Sequence, residues 1–364
     1  MRKLLLFALA IVCSVAAVSS QNAAQQGKRY NVYGVMFYNL ENLFDTINSN
    51  GTYDLEFSPR GARQWNSDKY YKKLHNMAYA ISQMATPATP YGPAVIGVSE
   101  VENITVLQDL VRQPELRPWH LQIVHHDSPD RRGIDVAVLY NPRFFTFTGD
   151  STFQRLVVPG NPGFRTRDQW CVSGKLAGEN VSIIINHWPS RLGGQERSSY
   201  LREAAAAMCR RTVDSLLTVD PGRGVIFMGD LNDDPMDVSC AKVLGGKRHI
   251  ADVTAPGDLY NPFWEKLAKG IGTLAYKGGW NLFDQIMMSQ YFTQYYQGKD
   301  KPHLTLLRAE VLNREFLRNA DGPYKGYPHR TFSGGVFLNG YSDHFPTEIF
   351  LTKEAECMAV NTYL

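Results

Sequence analysis

A chain of 364 residues with 44% hydrophobic, 12% aromatic and 20% charged residues can bury a sizeable core, which excludes an intrinsically disordered protein. Its formal charge of +3 sets up no strong global field, so composition alone gives no argument for a nucleic-acid or membrane partner. No internal repeat or low-complexity linker divides it.

Residues 1–20 read as a removable secretory signal. Arg2 and Lys3 are followed by an almost unbroken apolar run from Leu4 to Val18, and Val18-Ser19-Ser20 before Gln21 suits signal peptidase. Export to the periplasm or beyond is therefore expected, and loss of the two basic residues takes the formal charge from +3 to +1. Cys13 offers a lipoprotein alternative, disfavoured by the bulk of Val12 before it. Residues 21–29 read as a linker, 30–352 as the domain and 353–364 as a tail, and no later run is long enough to span a membrane. Cys171, Cys209, Cys240 and Cys357 allow three full disulfide pairings. Without a CxxC or a cysteine–histidine cluster, they do not make a structural zinc site.

Short Val- and Ile-rich runs predict strands at Val32–Tyr38, Ala94–Val98, Ile134–Tyr140, Val181–Ile185, Val225–Met228, Ile286–Met288 and Thr347–Leu351. Tyr70, Tyr71, Leu74, Met77, Ala78, Ile81 and Met84 recur at helical spacing until Pro87 stops them. A second helix follows Ser198-Ser199, with Leu201, Ala205, Met208, Val213 and Leu216 on one side. The alternation argues for an α/β domain. Residues 141–167 and 252–279 read as loop-rich and as candidates for a site rim.

The strand ends carry the chemistry. The first strand runs into Asn39-Leu40-Glu41-Asn42 and the second into Ser99-Glu100-Val101-Glu102. Later strands run into Asn186-His187 and into Gly229-Asp230-Leu231-Asn232, and Ser342-Asp343-His344 precedes the last. Such ends can meet along one edge of a sheet, where α/β proteins commonly bind ligands. Carboxylates and amides without thiolates suit hard cations, and histidines exchange protons near neutral pH. Glu102 is expected to open the next helix, where an acid is favourable, and not to bind the ion.

Taken in order, FYNLENLFD, VIGVSEVEN, INHWPSR, MGDLND, FDQIMMS and YSDHFP resemble the endonuclease/exonuclease/phosphatase superfamily, the deoxyribonuclease I-like group, from about Tyr30 to Leu351. The resemblance implies a four-layer α/β sandwich: two packed, mixed, mostly antiparallel sheets flanked by helices. It implies hydrolysis of phosphate esters with a divalent cation, Mg²⁺ first and Mn²⁺ or Ca²⁺ as alternatives. Asn39, Glu41, Glu100 and Asp343 would hold the metal. Asp230 and Asn232 would face the phosphate, with Asp230 on the attacking water. Asp284 would hold His344, and His187 would lie across the phosphate, oriented by Asp135. Arg167 would contact the phosphate or support the site. A nuclease or nuclease-like phosphodiesterase acting as a monomer on DNA or RNA is the first expectation; a sphingomyelin-type phosphodiesterase or a small-molecule phosphatase is the alternative.

Other classes fit less well. There is no GxSxG elbow, and Gly270-x-Gly272-x-x-Ala275 follows a charged helical stretch where a dinucleotide fingerprint would follow a strand. An exported binding protein without turnover would leave both histidine–carboxylate arrangements unused.

Overall fold

The computed structural model describes residues 28–47, 54–296, 298 and 302–355. The predicted signal, residues 21–27 of the linker, Cys357 and all but the first three residues of the tail lie outside them. Residues 32–352 form one compact unit. The described part of a second, terminal unit is residues 28–31 and 353–355, in which Lys28 Nζ reaches Glu354 at 2.9 Å.

In chain order the first strands are β1 (Tyr30–Leu43), β2 (Val95–Val101), β3 (Gln122–His125), β4 (Asp135–Tyr140) and β5 (Phe145–Gln154). Next come β6 (Gln169–Leu176), β7 (Glu179–His187), β8 (Gly224–Asp230), β9 (Gly246–Lys247) and β10 (Leu259–Tyr260). A hairpin of β11 (Leu274–Tyr276) and β12 (Gly279–Asn281) precedes β13 (Asp284–Ser289) and β14 (Thr305–Val311). A second hairpin, β15 (Phe332–Ser333) and β16 (Val336–Phe337), precedes β17 (Thr347–Glu354). One sheet has the order β14-β17-β1-β2-β4-β3 and the other β5-β6-β7-β8-β13-β10-β9. Both are mixed. β1–β2, β7–β8 and β9–β10 run parallel, whereas β2–β4, β3–β4, β14–β17, β5–β6, β6–β7, β8–β13 and β10–β13 run antiparallel.

Parallel neighbours need a crossover, and helices supply two of them. Between β1 and β2 lies α1 (Ser67–Ser82), capped by the Asn66 side chain on Lys69 N–H. Between β7 and β8 lies α3 (Gln195–Val219). The shorter α2 (Ile104–Val111) follows β2, with Asn103 as its cap accepting from Thr105 and Val106 N–H. Among the described residues no helix is long and apolar enough to cross a membrane.

Side-chain alternation sorts the strands into layers, because successive residues of a strand face opposite sides of its sheet. Val35 and Phe37 of β1 join Ile183 and Ile185 of β7, Ile226 and Met228 of β8 and Ile286 of β13 in one core between the sheets. Met36, Tyr38, Ile96 and Val98 face the other way, onto Leu74, Met77 and Ile81 of α1. Ile184, Phe227 and Met287 pack on Ala205, Cys209 and Val213 of α3. The result is the four-layer α/β sandwich.

Three expectations need correction. Residues 141–167 are not all loop: Phe145–Gln154 forms edge strand β5, whose mostly exposed polar side chains hide the apolar signal of a buried strand. The third helix begins at Gln195, ahead of Ser198-Ser199. Asn103, not Glu102, starts α2; the buried Glu102 accepts from Asp45 N–H at 2.8 Å.

Gly97 faces the other sheet at close range, beneath the Ser99-Glu100 strand end. A Cβ there would run into Met228 Sδ and stand 2.7 Å from Ile185 Cδ1. Gly97→Val should therefore destabilise the fold by about 1–3 kcal/mol through overpacking, read by denaturant unfolding. A variant of unchanged stability would show that the interface relaxes freely.

Candidate active site

Four strand ends bring polar side chains to one edge. Asn39 and Glu41 lie near the end of β1, Glu100 near the end of β2, and His187 and Asp230 are the last residues of β7 and β8. Because β7 and β8 are parallel and in register, His187 sits beside Asp230; across the antiparallel pair, Asp284 faces Asp230. The backbone is bent hard here. Glu41, Asn42, Glu100 and Asn232 have φ of 47°, 53°, 59° and 50°, in the left-handed region that residues other than glycine seldom enter. At Glu100 the bend falls in the register break between Ser99 and Val101, so the side chain leaves the regular alternation of its strand. Clustered strain of this kind persists only where surrounding contacts fix it, and it concentrates at functional sites.

Asp230, 2% exposed, is the hub. Its Oδ1 accepts from Asn232 N–H at 3.0 Å, and its Oδ2 accepts from Asn39 Nδ2 at 3.0 Å. His187 Nε2 stands 3.5 Å and His344 Nε2 3.9 Å from that same Oδ2. His344 Nδ1 lies 2.7 Å from Asp284 Oδ2, the carboxylate partner that the sequence implies. Asp230, Asp284 and His344 place one ligand-type atom each within 4.8 Å of one another.

The two histidines titrate in opposite directions. Burial lowers His344, but Asp284 and Asp230 outweigh it and hold the imidazole well above its ordinary range. Burial, reinforced by Arg167, drives His187 well below its ordinary range, so it stays neutral. Burial also raises the Asp230 carboxyl.

The acidic side is matched by basic residues. Glu100 is raised by burial, yet the charge and the hydrogen bonds of Arg132 outweigh that and bring it well below the carboxylate range. Arg132 Nη1 donates to Glu100 Oε1 at 3.3 Å and Nη2 to Oε2 at 3.2 Å, with a further bond to Asn42 Oδ1. Arg330 joins the other two acids: its Nε donates to Glu41 Oε1 at 3.1 Å and its Nη2 to Asp343 Oδ2 at 3.0 Å. Lys73, buried on α1, has its Nζ 4.0 Å from Glu41 and bonded to Thr331 Oγ1 at 2.6 Å. Of these three cations the sequence marks only Arg132, as half of the basic pair Arg131-Arg132.

The residues expected to hold a divalent cation fit that role chemically. Glu41, Glu100 and Asp343 supply carboxylates and Asn39 an amide oxygen, the hard donors that Mg²⁺, Mn²⁺ and Ca²⁺ take. Glu41 and Glu100 are both buried. A cleft of about 250 Å³ opens beside Glu41, lined also by Asn42, Arg63, Arg330 and Phe332 among others.

One supporting assignment changes and one is narrowed. Asp135 does not orient His187: its carboxylate meets His125 Nε2 at 3.1 Å and Ser128 N–H at 2.8 Å, while His187 Nδ1 is buried without a hydrogen-bond partner. The Asp135 carboxylate is taken up within its own sheet: His125 ends the neighbouring β3, and Ser128 lies in the segment joining β3 to β4. Arg167 supports the site from behind, with Nε on the His187 carbonyl at 3.1 Å, Nη2 on the Trp188 carbonyl at 2.6 Å and Nη1 on Asp130 at 3.1 Å. Asn232 also gives a side-chain N–H to the Trp188 carbonyl, at 3.0 Å.

Comparison with known proteins agrees with this geometry. Residues 34–353 match the Endonuclease/Exonuclease/phosphatase family. No curated protein sequence matches the chain. Among solved structures, an endonuclease/exonuclease/phosphatase family protein of Bacteroides thetaiotaomicron aligns with a TM-score of 0.52 at 17% identity, over 91% of this chain and 98% of that one. The mannosyl-6-phosphatase of the same organism aligns at 0.51 and 16%, over 88% and 99%. D. rerio TDP2 complexed with single-strand DNA product aligns at 0.52 and 14%, over 88% and 98%. At these identities the structural likeness speaks for the fold, and the match over residues 34–353 speaks for the family: this chain belongs to the endonuclease/exonuclease/phosphatase family of phosphoester hydrolases.

Proposed function

We propose that the protein is a divalent-cation-dependent phosphodiesterase of nuclease type. The observation that carries the hydrolytic reading is the convergence of Asn39, His187 and His344 on one buried oxygen of Asp230. A cation held by Glu100 with Glu41, Asp343 and Asn39 would polarise a phosphoryl oxygen and offset its growing negative charge. Asp230, with its affinity for protons raised by burial, is suited to orient a water and take its proton. His344, kept protonated by Asp284, presents a positive N–H to the phosphoryl oxygens. His187, kept neutral, serves as a hydrogen-bond donor through Nε2, the ring nitrogen that faces Asp230. Asn232, whose amide also holds the Trp188 carbonyl, positions the loop that follows Asp230.

We read the cleft beside Glu41 as the place for a second group carried on the phosphate, which favours a diester; its Arg63 and Arg330 suit a polyanionic one. The test is hydrolysis of plasmid DNA, RNA, bis-p-nitrophenyl phosphate, p-nitrophenyl phosphate and mannose 6-phosphate with Mg²⁺, Mn²⁺ or Ca²⁺ and with EDTA. Diester cleavage abolished by EDTA is the expected result; exclusive cleavage of a monoester would replace the nuclease reading with a phosphatase.

Glu100→Gln and Asp230→Asn should each lower kcat/KM by about 10³-fold, as removal of a group that acts on the transition state does. Wild-type rates in either variant would remove that residue from the site. Asp284→Asn and His344→Gln should each lower the rate, and the double variant should fall little further, because the two act as one unit. Fully additive losses would argue against the pair.

The same pair sets a pH dependence of stability. His344 has a folded pKa raised above its unfolded value of about 6.5, so its contribution is fully present below about pH 6.5 and is lost as pH rises through the folded value. The destabilisation caused by His344→Gln should thus be largest near pH 6 and shrink toward pH 9 in urea titrations. A penalty that grows with pH would contradict the assignment.

A further inference from the structure

The backbone of Arg132 is anchored separately from its side chain. Its N–H donates to Asp130 Oδ1 at 2.8 Å, and Asp130 Oδ2 accepts from Arg167 Nη1 at 3.1 Å. Arg167 is in turn bonded to the carbonyls of His187 and Trp188, and its side chain is 7% exposed. The base of Arg132 is therefore moored to the end of β7, beside the phosphate position argued above. Its guanidinium is another matter. It covers both oxygens of Glu100, one of which also accepts from Asn42 N–H at 3.0 Å, and it reaches Asn42 Oδ1 as well; the side chain as a whole is 34% exposed.

A divalent cation and this guanidinium draw on the same carboxylate. A dication bound to Glu100 would stand a few ångströms from a fixed positive charge, a repulsion felt strongly in a partly desolvated site. The guanidinium can relieve it by turning away while its backbone stays moored. The acceptor geometry that a planar guanidinium prefers after a carboxylate is a phosphate, which it binds through two parallel N–H groups.

We propose that Arg132 is a substrate-phosphate ligand that exchanges places with the divalent cation at Glu100. The cation displaces the guanidinium from the carboxylate, and the displaced guanidinium takes the phosphate of the ester. This rests on the metal-dependent reading of the site and adds to it a residue and an order of events: cation binding prepares the anion site. Arg132 then opposes the metal and favours the substrate, two effects of opposite sign from one side chain. A purely structural arginine would not produce that combination.

The experiment is calorimetric and needs no turnover. Mn²⁺ is titrated into wild type, Arg132→Ala, Arg132→Lys and Glu100→Gln, and inorganic phosphate is then titrated into each at saturating Mg²⁺, with circular dichroism checking the fold. Arg132→Ala removes a charge-assisted hydrogen-bonding partner of Glu100, so Mn²⁺ should bind about tenfold more tightly. Phosphate should bind about tenfold more weakly to the same variant, for the same reason at the other acceptor. Arg132→Lys should fall between, because its ammonium keeps the charge and loses the fork. Unchanged or weaker Mn²⁺ binding in a folded Arg132→Ala variant would overturn the exchange, and unchanged phosphate binding would overturn the role as phosphate ligand. The underlying metal assignment fails separately, by wild type binding no Mn²⁺ or by Glu100→Gln binding it as wild type does.

Discussion

One carboxylate oxygen, Asp230 Oδ2, organises this protein. It is buried, and an uncompensated charge there would be very costly, so the elements around it must bring it donors. They arrive from both sheets: Asn39 from β1 of the six-stranded sheet, His187 from the neighbouring β7 of the seven-stranded one, and His344 from just ahead of β17. The two-sheet packing is thus a precondition of the site. Only face-to-face sheets bring the β1 and β8 ends close enough for a 3.0 Å hydrogen bond between Asn39 and Asp230. The apolar core between them, with Phe37, Ile185 and Met228 fully buried, fixes that separation.

The acids of the MGDLNDD segment show how sharply location divides function. Asp230 faces the site. Asp233, three residues on, is held by the fully buried Arg202 at 2.7 Å and by Ser239 at 2.6 Å. Asp234 accepts from Leu282 N–H and from Asn281 Nδ2, both at 2.7 Å. Removing one partner of a buried ion pair such as Arg202–Asp233 leaves the other charge stranded, a penalty of about 3–5 kcal/mol. These two acids lock the loop that carries Asp230 and Asn232 onto α3 on one side and onto the approach to β13 on the other. Composition alone cannot separate the three aspartates; the hydrogen-bond partners do.

Much of this was legible in the sequence because two kinds of signal are local. The Val- and Ile-rich runs give the central strands of both sheets, where burial on both faces leaves little room for polar residues, as in Val225–Met228. The polar residues that follow each run give the site. What stayed hidden is non-local. Edge strand β5 alternates polar residues that pack against nothing on one side. Asp135 is open in the sequence to either of two roles, orienting His187 or satisfying backbone groups at a strand start, and only its bonds to His125 and Ser128 N–H decide between them. Lys73 did leave a signal: it lies between Tyr70, Leu74 and Met77 on the apolar stripe of α1, where a lysine is conspicuous. Arg132 and Arg330 left no periodic trace, since both sit in irregular segments whose course is decided by the carboxylates they meet.

The distribution of charge follows from that last point. Glu41, Glu100 and Asp343 cannot share a confined region unless cations stand among them, because like charges at short range in a low dielectric raise one another's pKa. Glu41 shows the strain: burial and Asp343 push it up, and Lys73 and Arg330 pull it back only in part. The three cations differ in freedom. Lys73 is buried and bonded on several sides, which fits a permanent counter-charge. Arg330 has a side chain 47% exposed and Arg132 one 34% exposed, so both can leave their carboxylates without unpacking the fold. On the function proposed above, a site that gathers acids for a cation and then receives an anionic substrate needs both sorts of positive charge, fixed ones to let the acids fold together and releasable ones to meet the phosphate. One buried lysine and two part-exposed arginines, from three separate segments of the chain, fit that need.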